Sequence, residues 1–387
     1  MQSVARVRHK TRGATYAEQD APRTQAVRVA HYCRDHCRGL RAATCFGLMS
    51  IPKSSSLQTA PANPSRIVVC GTLAMDMIGH YHKGFSALSD GQALNVSMQL
   101  DRFALEFGGC AMNICYTLSL LGGVAFPIVR AGRDFHDGYA QHLARHGIDV
   151  SGVLVDEDFA YSSRCMILSD GAGNQVTAFY PGSSSAAASR ERPHVDAGEF
   201  AIRNHCALAV IAPDVPETMI RHATLLQAAG VKCITDPGQG LADFSAEALQ
   251  TLLNNTRCLI VNAMEWQTVL RLLKVDAARV VAELDWLIVT HGGEGAQIHR
   301  PATAPHTIGA VPPTAYVDHT GCGDALRAGL AWGIARGCQL EDALSIGMLA
   351  ATFNLEVSGC QRHVFTLAAF AARYSNAFGR QWPLPTF

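Results

Sequence analysis

The chain carries no excess of charge: 32 Lys and Arg stand against 32 Asp and Glu in 387 residues. That balance removes the electrostatic argument for nucleic acid or an acidic surface as partner. Long apolar runs are also missing. No stretch reaches the roughly 18 residues expected of a membrane-crossing helix, so no membrane partner is expected and small molecules remain. Charged residues are scarce, at 17%, while hydrophobic ones reach 48%, which excludes disorder of the whole chain. Three familiar nucleotide-handling signatures are absent. There is no G-x-x-x-x-G-K-[ST] phosphate loop and no paired H-R-D and D-F-G set of a protein kinase. No G-x-G-x-x-G follows the first strand, which weakens a dehydrogenase reading.

Cysteine is plentiful. The 13 thiols are odd in number and irregular in spacing, as expected of reduced, mostly buried groups in a cytoplasmic protein. The tightest cluster is His31, Cys33, His36 and Cys37. No second ligand pair of suitable spacing follows, which favours a polar tail over a metal site. Residues 1–65 hold ten Lys and Arg against three Asp and Glu. They read as a basic leader: an organelle transit segment, a disordered tail, or sequence upstream of a start at Met49. "IPKSSSLQTAPANPS" closes it as a linker. The folded domain is expected over 66–387.

Within that domain short β-branched runs alternate with helical patterns. Strands are expected at Ile67–Cys70 and in "AFPIVRAG", "VSGVLVDED", "CALAVIAPD", "VKCITDPG", "RCLIVN" and "LDWLIVT". Helices are expected in "CAMNICYTLSLL", "DFHDGYAQHLARHGI", "PETMIRHATLLQAAG", "SAEALQTLLNNT" and "DALRAGLAWGIARG". This rhythm predicts a three-layer α/β/α domain around a mainly parallel sheet. Two segments break it, about 80–107 and 160–182. Their alternating residues, including a hairpin around Asp170-Gly171, predict half-exposed strands forming a small β-sheet lid.

In an open parallel sheet, ligands sit beyond the carboxyl ends of the strands. Asp76, Gly108, Gly109, Asn262, Glu265, the Gly292–Gly295 turn and "VDHTGCGDALRAGLAWG" are all expected just past strands. The last stretch is the most informative. Gly321, Cys322 and Gly323 at a helix start offer unencumbered N–H groups at the positive end of the dipole, an anion hole. Asp324 in the first turn is either a helix-stabilising carboxylate or a general base beside a phosphoryl site. The small residues that follow, from Ala325 to Gly333, suit close helix packing.

Asp318 to Asp324, "DHTGCGD", resembles the C-terminal signature of the PfkB (ribokinase-like) carbohydrate and nucleoside kinases. "EFGGCAMNICYTLSLLGG" is similar to that family's Gly-Gly…Asn motif, Asn262 and Glu265 to its Asn-x-x-Glu, "VTHGGEGA" to its nucleotide-side loop and "SGCQRH" to its closing Gly-x-Gln. His319 departs from the usual Thr or Pro. The resemblance covers roughly 66–370 and implies a ribokinase-like fold and an ATP-dependent phosphotransferase. It implies Asp324 as base and the Gly321–Gly323 backbone as stabiliser of the transferred phosphoryl group. Glu265 would hold Mg2+ through water, with Asn262, Thr290, Gly292 and Gly295 beside ATP. Asp318 and Thr320 match positions that hold a monovalent cation such as K+ in some relatives. Asp76, Gly108, Gly109 and Asn113 would receive the substrate. Arg164, in the lid, reads as a solvated strand arginine rather than a phosphate ligand.

"TAFYPGSSSAA" and "DHTGCGDALRAGL" resemble the bacterial and archaeal nucleoside-kinase branch, which implies a nucleoside acceptor, adenosine first. A ribose or fructose kinase is the alternative. A non-catalytic nucleoside- or sugar-binding protein is a third reading, opposed by the intact Asp324. Unpaired lid edges would suit pairing with a second copy as a homodimer.

Overall fold

The computed structural model describes residues 65–88, 97–172, 174–189 and 191–384. The leader, the His31–Cys37 cluster and part of the first expected lid segment, 89–96, lie outside the described residues.

The chain enters through β1 (Arg66–Cys70), β2 (Ala74–Tyr81), β3 (Arg102–Gly108), α1 (Cys110–Leu120) and β4 (Val124–Ala131). It continues through α2 (Tyr139–Arg145), β5 (Val153–Val155), β6 (Ser163–Asp170), β7 (Gln175–Tyr180) and α3 (Ala197–Arg203). A regular βα alternation follows: β8 (Leu208–Ile211), α4 (Pro216–Ala228), β9 (Lys232–Thr235), α5 (Ala246–Thr256), β10 (Cys258–Asn262), α6 (Ala263–Leu273) and α7 (Ala277–Ala282). The last part comprises β11 (Trp286–Thr290), β12 (Ala296–His299), β13 (His306–Ile308), α8 (Cys322–Ala335), α9 (Leu340–Leu355) and α10 (Leu367–Phe378).

Two sheets result. The main sheet has the order β13-β12-β11-β10-β9-β8-β1-β4-β5. Its strands from β5 to β11 are parallel, and β12 and β13 add an antiparallel edge. Strand residues alternate between its two faces. Ile67 and Val69 join the buried cluster under α1, α2, α8, α9 and α10, while Val68 and Cys70 join the cluster under α3 to α7. Burial on both faces explains why these strands read as continuous apolar runs. The small residues of α8 do let helices approach. A Cβ on Gly329 would lie 2.7 Å from the Gly347 Cα on α9.

The second sheet has the order β3-β2-β6-β7. Its strand β2 carries Asp76, so this residue lies inside a sheet rather than in a turn beyond β1. The Gly71 bend (φ +152°) separates the two strands so briefly that they merge in the sequence. The helix expected over "DFHDGYAQHLARHGI" is also divided. A 3-10 turn spans Arg133–Asp137, and α2 starts only after Gly138, whose φ of +141° cannot continue it. No helix among the described residues is long and apolar enough to cross a membrane.

Candidate active site

The main sheet reverses its winding at β1, whose neighbours β4 and β8 lead the chain off in opposite directions. A crevice is expected beyond the carboxyl ends of the strands at such a point. Asp236 directly follows β9, Asn262 ends β10, and Thr290 ends β11 in register with Asn262.

Gly321 caps α8 with φ +78°, and a Cβ there would lie 3.0 Å from the Cys360 Sγ. Neither the left-handed backbone nor the contact suits a larger residue. The Cys322 N–H turns back and donates to the His319 carbonyl at 3.2 Å. The N–H groups of Gly321, Gly323 and Asp324 have no backbone acceptor among the described residues. They leave open donors at the positive end of the helix, and of the residues expected to form an anion hole, Gly321–Gly323, only Cys322 has its N–H taken up. Its thiol receives the Asn354 Nδ2 at 3.5 Å, and the same nitrogen donates to the Thr320 carbonyl at 2.7 Å. Cys322 thus packs the loop against α9.

Asp324 is buried, and its Oδ2 accepts from the Asn113 Nδ2 at 2.8 Å. Burial raises its pKa to about 6, against the pull of Asn113 and Arg327. Asp76 is also buried, and its pKa likewise rises to about 6, first by burial and then through Asp324 and Glu106. Room for this carboxylate depends on Gly108, where any Cβ would run into it. At Gly109 (φ +91°) a Cβ would lie 2.7 Å from the Leu73 Cα. Asn113, expected to hold a substrate hydroxyl, joins Asp324 through Nδ2 and accepts from Gln361 through Oδ1 at 2.9 Å.

Asn262 and Glu265 cap α6 reciprocally: the Glu265 N–H donates to Asn262 Oδ1 at 2.9 Å, and the Asn262 N–H to Glu265 Oε2 at 2.8 Å. Glu265 Oε1 takes no part in this box. Burial and Asp236 raise the Glu265 pKa. Beside it the sequence reading missed an ion pair. Arg327 on α8 pairs with Asp236, and both are buried. Three carboxylates, Asp236, Asp324 and Glu265, act on this one guanidinium. Among the described residues no three acidic, histidine or cysteine side chains converge as a ready metal site, so a divalent cation such as Mg2+ would have to be held here mainly through water. One signal was available: Arg327 is the only charged residue between Ala325 and Ala335.

The remaining expected residues surround this centre. Gly292 (φ +57°) borders open space, whereas Gly295 (φ +102°) is pressed against the Ile308 carbonyl and Ala310. Thr290 directs its hydroxyl to the Val261 carbonyl at 3.5 Å. None of the three hydrogen-bonds to Asp324 or Asp76 among the described residues. Asp318 Oδ1 accepts from the Thr320 N–H at 2.9 Å and Oδ2 from the Gly359 N–H at 3.2 Å. Both oxygens thus tie loops together, and a monovalent cation would have to share them. Arg164 is half-buried and paired with Asp134 at 2.9 Å, so it is not a solvated strand residue.

Comparison with known proteins decides the family. The profile of the family described as pfkB family carbohydrate kinase matches residues 65–366. The chain belongs to the pfkB family of carbohydrate kinases. A nucleoside kinase of Burkholderia thailandensis in complex with inosine has a TM-score of 0.73 and 32% identity, over 81% of this chain and 99% of that one. The same enzyme has been described in complex with ADP-inosine. A nucleoside kinase of Methanocaldococcus jannaschii is 28% identical over 70% of this chain and 86% of its own length. Its crystal structure has a TM-score of 0.72 at 26% identity, covering 81% and 98% of the two chains. As a pfkB kinase with a ribokinase-like fold, the protein is a phosphotransferase with an alcohol acceptor. These relatives place it in the nucleoside-kinase branch.

Replacing Arg327 by Met leaves Asp236 buried without its partner. This pfkB kinase should then lose about 3–5 kcal/mol of stability in urea unfolding. The double variant Asp236→Asn/Arg327→Met should recover most of that loss. A single variant within about 1 kcal/mol of wild type would show that the pair is not a buried ion pair of this strength.

Proposed function

We propose that the protein transfers the γ-phosphoryl group of ATP to the 5′-hydroxyl of a nucleoside, adenosine first, with Asp324 as general base. The observation that carries this reading is one row of the second sheet. Register pairing aligns Glu106, Asp76, Cys165 and Phe179 across β3, β2, β6 and β7, so all four point to one face. Asp76 on that face interacts electrostatically with Asp324. Phe179 stands two strand spacings away, about 10 Å, and is 57% exposed. A carboxylate for the sugar diol and an open aromatic ring for a flat base suit a nucleoside better than a lone sugar. The Burkholderia thailandensis relative described with inosine supports a purine nucleoside.

In the proposed reaction, Asp324 takes the proton of the acceptor hydroxyl as its oxygen bonds to the γ-phosphorus. The bond from that phosphorus to the β,γ-bridging oxygen breaks, and ADP leaves. The free N–H groups of Gly323 and Asp324 stabilise charge on the transferred group. Glu265 and Asp236 would hold Mg2+ through water; bound there, the ion would neutralise phosphate charge. Gly292 lies open toward the nucleotide side, and Asp318 with Thr320 would share its oxygens with K+. The ten described cysteines are all free thiols, which supports a reducing, cytoplasmic setting. Phe103, Leu105, Met166, Val176 and Tyr180 are exposed on the opposite face of the second sheet. A second copy would cover this apolar lid face.

Asp324→Asn should lower kcat by about 1,000-fold or more with KM changed only several-fold. Coupled assays over adenosine, inosine, ribose and fructose identify the acceptor. Equal turnover of ribose, with none of adenosine or inosine, would refute a nucleoside acceptor. Sedimentation equilibrium at micromolar protein should show a dimer, and a monomer at all concentrations would remove the lid pairing.

A further inference from the structure

Behind Asp324 the structure holds a chain of buried polar side chains that the reaction scheme leaves unused. Asn113 Nδ2 donates to Asp324 Oδ2 at 2.8 Å, Gln361 Nε2 donates to Asn113 Oδ1 at 2.9 Å, and His142 Nε2 lies 2.8 Å from Gln361 Oε1. A second bond runs from Gln361 Nε2 to the Tyr139 hydroxyl at 3.1 Å. Asn113, Gln361 and His142 come from α1, the segment after α9, and α2. All are buried.

The direction of every bond follows from its end. An ionised carboxylate can only accept, so Asn113 must turn its NH2 group to Asp324 and its carbonyl to Gln361. Gln361 must then present its NH2 to Asn113, leaving its carbonyl for His142. His142 can satisfy that carbonyl only with a proton on Nε2. The Tyr139 hydroxyl agrees with this direction, because it already donates to the Gly108 carbonyl at 2.7 Å and can accept from Gln361. His142 is stacked on Phe107 at 4.2 Å between ring centroids, and burial lowers its pKa. A neutral ring with Nε2–H satisfies the chain. Two neutral amides in series do not carry a proton easily, so the arrangement suits orientation rather than proton relay.

We propose that Gln361 is a positioning residue for the base. Held by His142, it locks the Asn113 amide with its N–H toward Asp324 Oδ2, leaving Oδ1 to receive the acceptor hydroxyl. This rests on Asp324 being the base. The motif "SGCQRH" thereby gains a physical task that family resemblance alone did not assign. Asp324 is also faced by Arg327 from its own helix, Asp236 after β9, Asp76 on β2, Cys110 at the start of α1, and Cys322 and Cys360 from the adjoining loops. None of these is changed by the substitutions below.

The test compares Gln361→Leu, His142→Phe and His142→Gln, with Asp324→Asn alongside, by pH profiles of kcat and kcat/KM. Gln places an amide nitrogen near the position of the imidazole Nε2 and restores a donor. Without Gln361 the Asn113 amide can turn, and the carboxylate loses a charge-assisted hydrogen bond. The acid limb of kcat/KM for Gln361→Leu should move up by about half to one pH unit relative to wild type. Its kcat should fall about tenfold, with nucleoside KM within about threefold. His142→Phe should shift the limb the same way by less, and His142→Gln should recover most of that shift. Using the same nucleotide throughout cancels its own titration. If Gln361→Leu does not fold, the two His142 variants decide the matter. An unmoved limb in folded Gln361→Leu, or His142→Gln no better than His142→Phe, would overturn the proposal. Activity retained by Asp324→Asn would instead overturn the assignment of the base.

Discussion

A carboxylate removed from water governs this site. Asp324 is buried at the start of α8, and its proton affinity rises because burial penalises the charge. A shift from 3.8 to about 6 corresponds to about 3 kcal/mol lost from the fold when the group is ionised at neutral pH. The sign is that of a raised acid: stability is greatest below the unfolded pKa and declines as pH rises to the folded pKa. The neighbouring groups reduce this cost only in part. Asn113 and Arg327 favour the charged form, while Asp236 opposes it. A base with a pKa near 6 remains mostly ionised at neutral pH yet binds a proton more readily than a solvated carboxylate, which suits a general base.

The rest of the site follows from keeping that group dry and aimed. Gly321 lets the loop meet Cys360 closely, and the Gly323 and Asp324 N–H groups are left open. Gly108 makes space for Asp76 opposite. The segment from Gly359 to His363 ties α1 to the second sheet. Its Gln361 reaches Asn113, its His363 carbonyl accepts from the Tyr116 hydroxyl at 2.8 Å, and its Arg362 grips Glu106 of the second sheet with bonds of 2.7 and 2.5 Å. The second sheet and the Asn113 partner of Asp324 are therefore fixed to the same short stretch.

Features encoded by one continuous segment were legible in the sequence. The start of α8 needs only a few neighbouring residues, and Asn262 with Glu265 forms a capping box at a spacing of three. The βα alternation was visible because strands buried on both faces are apolar throughout. Features requiring distant segments were not. Nothing local pairs Arg327 with Asp236, although a lone arginine in an apolar helix was a usable hint. The strand β2 was hidden because only a glycine bend divides it from β1. Helix α9 presents buried residues on nearly every side, so it lacks the one-sided periodicity that marks a surface helix. Cys322 shows the limit of a motif: its place in the signature suggested a donor, but the local turn consumes its N–H.

The central claim is that Asp324 and Asp76 form a desolvated, coupled acid pair. Carbon NMR titration of protein labelled at the aspartate carboxyl carbons tests it directly. Three carboxyl signals should titrate near pH 6, those of Asp76, Asp214 and Asp324. Asp324→Asn should abolish one and lower the pKa of Asp76, leaving Asp214 unmoved. A wild-type spectrum in which every aspartate titrates below about pH 5 would contradict the claim.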